Sequence, residues 1–118
     1  MNAMKNTVQL IGHVGQEPEI KNLDGGKKVA NLTIATNDSY KNDKGEKVET
    51  TEWHRVAAWG ATADIIEKYV TKGLQIAVEG KLTHRSYDDK NGEKRYITEV
   101  VVNEVLLFPL YPQHAMAS

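Results

Sequence analysis

The side chains best equipped for chemistry in this chain are aromatic and cationic, and they recur at spacings of two. In Thr51-Glu52-Trp53-His54-Arg55-Val56-Ala57-Ala58-Trp59, an arginine stands between two tryptophans. A β-strand alternates its side chains, so Trp53, Arg55, Ala57 and Trp59 share one face. His54, Val56 and Ala58 share the other. Lys81, Thr83, Arg85 and Tyr87 repeat the pattern further along, and Tyr40-Lys41 offers a third aromatic–cation pair. Rings beside cations on a wet surface suit flat π-systems and anions. A nucleobase stacked on an aromatic face is worth roughly 1–3 kcal/mol. Lys and Arg neutralise phosphates and release counterions. No bond need be made or broken.

A plainer reading competes. Two tryptophans on one strand face are commonly core residues. Against this, Arg55 shares their face and would be costly to bury unpaired. Val56 and Ala58 supply an apolar face on the other side. Tyr87 reads equally as an amphipathic surface residue, and Tyr40 as an ordinary loop tyrosine. Tyr69, on an apolar helix face, reads as core. Tyr96 fits either role.

Catalysis finds little support. His13, His54, His84 and His114 are scattered, without metal-ligand spacing. Asp88-Asp89 lies in a turn, where aspartate is common for conformational reasons. Gly25-Gly26 reads as a hairpin turn, not a phosphate loop. The absence of cysteine removes disulfides, thiol catalysis and thiolate metal sites. The expectation is no enzyme, no metal and no cofactor.

The elements that must position these residues follow from alternation and turn chemistry. Thr7 to Val14 is strand-like, with Gly12 inside and Gly15 after it, as a barrel corner requires. Pro18 to Leu23 continues in extended form. Asp24-Gly25-Gly26 turns the chain into a second strand, Val29 to Thr36. Tyr40 to Lys47 reads as a polar loop with a turn at Asp43-Lys44-Gly45. Glu49 to Trp59 is the third strand. Ala61 to Val70 is helical, with Ile65, Ile66, Tyr69 and Val70 on one face. Lys72 and Gly73 suit its C-terminal end. In the fourth strand, Leu74 to Tyr87, Leu74, Ile76, Val78 and Leu82 face the core. Gln75, Glu79, Lys81, Thr83, Arg85 and Tyr87 face solvent. Asn91-Gly92 turns into the fifth strand, Lys94 to Leu107, and Pro109 and Pro112 end regular structure. The expected fold is all-β: a five-stranded OB-fold barrel with one α-helix between the third and fourth strands.

The 118 residues fit one domain over 1–108, with 109–118 as a short flexible extension. Apolar residues make up 40% and charged residues 26%, ordinary values for a globular protein. No apolar run of about 18 residues and no signal-peptide pattern occur, so a cytoplasmic chain without membrane attachment is expected. The net charge is −1. Without a basic surplus, anion binding must come from the arrangement of charge.

The chain resembles the bacterial single-stranded DNA-binding proteins over about Asn6 to Leu107. The stretches that carry the resemblance are Val8-Gln9-Leu10-Ile11-Gly12-His13-Val14-Gly15, Val29-Ala30-Asn31-Leu32-Thr33-Ile34-Ala35-Thr36 and Thr51-Glu52-Trp53-His54-Arg55-Val56. Tyr69-Val70-Thr71-Lys72-Gly73 and Arg95-Tyr96-Ile97-Thr98-Glu99-Val100-Val101-Val102 complete them. The resemblance implies an OB-fold that stacks bases at Tyr40, Trp53, Trp59 and Tyr87, with Tyr40 on a mobile loop. It implies phosphate contacts at Lys41, Arg55, Lys72 and Arg85, to which strand parity adds Lys81. It further implies a homotetramer with subunit contacts at His54 and the first strand. Single-stranded DNA is the implied partner, in replication, recombination and repair. An OB-fold accessory replication module or an RNA binder is the alternative on the same scaffold. Thr7, Ala61 and Thr83 stand where relatives often carry a cation, which implies a shallower salt dependence. The long linker and acidic tip common in the family do not follow Glu104, so tail-mediated partners are not expected of this chain.

Overall fold

The structure, a computed structural model, describes residues 5–108. The 109–118 extension lies outside them. The elements are β1 (Val8–Val14), β2 (Glu19–Leu23), β3 (Lys27–Lys41), β4 (Lys47–Trp59), α1 (Gly60–Tyr69), β5 (Gln75–Asp88) and β6 (Lys94–Leu107). A 3-10 turn at Asp24–Gly26 joins β2 to β3, with Gly25 and Gly26 both at positive φ.

The sheet runs β1-β5-β6-β4-β3-β2, and β1 also pairs with β3, which closes the barrel. All pairings are antiparallel except β4 with β6, joined in parallel at Val56–Val100, Ala57–Val101 and Ala58–Val102. The first strand-like stretch is in fact two strands, because residues 15–18 interrupt it before β2 pairs with β3. With β1 and β2 counted as one interrupted first strand, the barrel is the expected five-stranded OB-fold, and the helix lies between its third and fourth strands, β4 and β5.

The interior is filled by Val14, Ala30, Leu32, Ile34, Val56, Ala58, Ala63, Ile66, Val70, Ile76, Val78, Val100 and Val102. Alternation places them there: even-numbered residues of β3, β4 and β5 point inward. Strand β6 needs a correction of phase to do the same. Glu79 pairs with Glu104, whereas Gly80 pairs with Val102, so Asn103 has no partner in the ladder. This bulge lets Val100 and Val102 face inward on one side of it and Val105 and Leu107 on the other.

Two glycines mark close approaches of backbone. A Cβ on Gly12 would collide with the Ala35 carbonyl oxygen, and one on Gly80 with that of Val101. Helix α1 covers the barrel with Ala63 and Ile66. Lys28 of β3 ties the helix down by donating to Asp64 at 2.7 Å and Glu67 at 2.6 Å. Those hydrogen bonds, Asp64 first, raise the Lys28 pKa.

Several local expectations are corrected. The helix ends at Tyr69, and Val70 is already extended. Gly73 is therefore not its cap. It sits at φ 88° in the next turn, where Leu74 N–H donates to Thr71 O and Gly73 N–H to Val14 O. Tyr69 is 59% exposed and Ile65 41%, so neither is core. The helix packs with a narrower stripe than its apolar residues suggested. Leu82 keeps its inward parity, opposite the buried Val100, but is itself 39% exposed. No described helix is long and apolar enough to cross a membrane.

Gly12→Ala should destabilise the protein by about 1–3 kcal/mol, as overpacking does, read from a urea midpoint. An unchanged midpoint would show that β1 can shift away from β3 without loss.

Candidate nucleic-acid interface

Strand β4 puts Val56 and Ala58 in the core and leaves Trp53, Arg55 and Trp59 outside. The two tryptophans are 63% and 46% exposed. They belong to one outer face of four strands. Register joins Asn31 of β3 to Ala57 of β4, Ala57 to Val101 of β6, and Val101 to Lys81 of β5. The odd-numbered neighbours of this row carry the candidate residues: Trp53, Arg55 and Trp59 on β4, and Arg85 and Tyr87 beyond Lys81 on β5. Tyr87 is exposed.

The surroundings of Trp53 are specific. Its ring's far edge lies against Gly15, where an added Cβ would run into the indole and approach Thr33 Oγ1 to 2.9 Å. Gly15 is held by its N–H, which donates to Thr33 O at 3.0 Å. Trp59 borders a shallow cleft with Lys27, Lys28, Gly60, Ala61 and Asp64. Arg55 borders another, with Gln16, Glu17, Glu19, Asn31 and Thr33.

The cations differ in readiness. Lys41, Arg55, Lys72 and Lys81 form no ion pair among the described residues, whereas Arg85 Nε donates to Glu99 Oε1 at 3.0 Å. Glu99 is buried although it lies on the outer face. Lys72 stands apart from the sheet face, in the turn after α1, where its backbone N–H donates to Glu17.

Tyr40 and Lys41 are placed differently from the expectation. They end β3 as strand residues, paired with Val48 and Lys47, so Tyr40 is not on a loop. By alternation Tyr40 falls on the side of Ile34 and Thr36, opposite Trp53. It is 57% exposed on a two-stranded arm that projects beyond the core. His54 is half-buried on the inner side, its Nε2 2.9 Å from Thr36 Oγ1.

The face thus combines three exposed rings with free cations, open and without an enclosed cavity. Among the described residues no cluster of His, Asp and Glu could hold a metal. Residues 5–108 match the single-strand binding protein family. The chain belongs to that family. Single-stranded DNA-binding protein 1 of Chlorobaculum tepidum is 46% identical over 101 residues, which are 85% of this chain and 62% of that protein. A solved structure titled as a Plasmodium falciparum SSB complex with ssDNA superposes with a TM-score of 0.81 at 35% identity, covering 87% of this chain and 94% of the other. A deletion mutant of the single-stranded DNA binding protein from Thermus aquaticus gives 0.76 at 30%, covering 87% and 50%. The chain therefore spans under two thirds of the Chlorobaculum protein and half of the Thermus one.

Two residues on this face escaped the sequence reading. Lys27 shares the parity of Val29, which pairs with Trp59. Arg95 sits directly across the ladder from Tyr87. Counting outward from Asn91-Gly92 as a two-residue turn pairs Tyr87 with Tyr96; the actual ladder is centred on Asn91 and puts Arg95 there.

Two outcomes follow from these contacts. Gly15→Ala should displace the Trp53 ring and shift its emission maximum, while Gly25→Ala, in open space, should not. Asp89 accepts from Arg95 Nε at 2.9 Å, and that bond leads the causes that hold its carboxyl below the ordinary 3.8. Its stabilising effect is present above the unfolded value and is lost as pH falls through the lower folded one. An NMR titration should place the Asp89 midpoint below 3.8, and Arg95→Gln should move it upward.

Proposed function

We propose that this chain binds single-stranded DNA with little regard for sequence and protects it during replication, recombination and repair. The observation that carries this reading is the outer face of β4, β6 and β5, with Trp53, Trp59 and Tyr87 exposed among Arg55 and Lys81. Bases stack on the rings, and any base will do because each has a π-face. The cations take the phosphates, with Tyr40, Lys41 and Lys72 extending the path from the arm and the helix turn. Duplex DNA binds poorly, because its bases are already stacked on one another.

The family membership and the relatives' names support this assignment. Action without catalysis, metal or cofactor, in the cytoplasm with the nucleoid, belongs to the same reading, as does homotetramer assembly. Ile11 and Leu106 are exposed along a groove on the outer side of β1, β5 and β6. That groove holds neither tryptophan and is available to a second copy, with His54 as a further contact.

Titration of the intrinsic tryptophan fluorescence with oligo(dT) tests the reading, since Trp53 and Trp59 are the only tryptophans. Strong quenching that saturates at a defined length and weakens with salt is expected. Trp53→Ala and Trp59→Ala should each weaken binding by roughly 1–3 kcal/mol. Absence of quenching and of binding would refute it, and tighter binding of the matched RNA oligomer would favour the RNA-binding alternative.

A further inference from the structure

The β5–β6 arm ends in a turn whose chemistry is unusually complete. Asp89 Oδ1 accepts the backbone N–H groups of Asn91 and Glu93, both at 2.9 Å. Asp89 N–H donates to Glu93 O, and Gly92 N–H to Asp89 O. The second carboxylate oxygen is left over, and it accepts Arg95 Nε at 2.9 Å. The β3–β4 arm contains the same turn. Asn42 Oδ1 accepts the N–H groups of Lys44 and Glu46, again at 2.9 Å, and Gly45 N–H donates to Asn42 O. There the remaining side-chain atom is an amide nitrogen, and it donates to Glu46. The turn therefore accepts asparagine or aspartate equally. Only aspartate can hold an arginine.

That arginine stands directly opposite Tyr87 in the ladder. Cross-strand partners carry their Cβ atoms about 4.5–5.5 Å apart on one face. Arg85 lies on the same face, two residues before Tyr87, and is also tied through Nε, to Glu99. Both guanidinium groups are thus oriented from behind. Neither donates a hydrogen bond from its Nη edge among the described residues; the nearest approach is Arg95 Nη2 to Glu93 Oε2 at 3.8 Å. A guanidinium edge matches the geometry of phosphate oxygens. Fixing its rotamer beforehand removes an ordering cost from binding.

We propose that Arg95 is a phosphate-binding residue aimed by Asp89, and that with Arg85 it forms a clamp gripping the phosphates on either side of a base stacked on Tyr87. This rests on the single-stranded DNA reading above. Asp89 is a positioning residue: it touches Arg95 and the turn, not the DNA.

Asp89→Asn separates positioning from charge. It keeps Oδ1 and hence the turn, as Asn42 shows, while its amide cannot accept from Arg95. It also removes a negative charge beside the binding face. A purely electrostatic role predicts tighter binding for this variant, whereas positioning predicts weaker binding. The measurement is oligo(dT) affinity by fluorescence anisotropy across a salt series, with circular dichroism melts as the check on folding. Arg95→Gln should weaken binding about tenfold and reduce the salt slope by about 0.7. Asp89→Asn should weaken it less, with the salt slope kept. The double variant should match Arg95→Gln alone. Unchanged affinity and slope in Arg95→Gln, tighter binding by Asp89→Asn, or additive effects in the double variant would each overturn the clamp. If the unmutated chain fails to bind oligo(dT), it is the underlying reading that fails. Loss of the melt in Asp89→Asn would show that the aspartate serves the turn itself, and would also overturn the proposal.

Discussion

The alternation of strand β4 is the constraint on which the rest of the structure depends. Val56 and Ala58 must face inward, because the barrel interior is completed by them. That requirement leaves Trp53, Arg55 and Trp59 no position but the outside. A slip of one residue would exchange the two sets, burying an arginine and exposing the core. The parallel pairing with β6 at residues 56–58 and the long antiparallel pairing with β3 hold the register from both sides. Core stability and ligand binding are thereby specified by the same period-two pattern. Mutations that loosen the first would misplace the second.

Much of this was legible in the sequence, for a physical reason. Alternation is visible wherever a strand has one apolar and one polar side, as β4 does and β5 does up to Val78. It fails where a strand leaves the core. Residues 36–41 of β3 and 47–52 of β4 form an arm with no interior to face, so its tip, Tyr40 to Lys47, reads as a polar loop in the sequence and Tyr40 as a loop residue. Leu82 misleads in the opposite direction: it has the parity of its buried partner Val100, yet parity does not fix how deeply a side chain is covered. Helical periodicity alone puts Tyr69 and Ile65 on the core face, and it cannot tell how wide a stripe the barrel end accommodates. The pairing of Arg85 with Glu99 was illegible because it is diagonal: the ladder sets Arg85 opposite Ile97 and Glu99 opposite Thr83.

The electrostatic organisation explains how a chain of net charge −1 can present a face to an anion. Carboxylates are not excluded from that face; Glu99 and Asp89 serve on it. Each accepts from an arginine side-on and leaves the guanidinium edge outward, so the negative charge directs the positive one. Lys28 shows the contrasting use, where both bonds are spent on holding helix α1 and the ammonium group is withdrawn from ligand binding.

The placement of β1 has a consequence for how the chain acquires its structure. Gln9 pairs with Glu79, and Asn6 holds Leu82 through two hydrogen bonds. The partners of the first strand are thus made some 70 residues later. The two arms, by contrast, close over turns of a few residues and can form within microseconds. Distant pairings of this kind slow folding. During synthesis the first strand must wait, unpaired on that side, until the hairpin beyond the helix has emerged. The arms that would meet the ligand are then assembled before the barrel that supports them is shut.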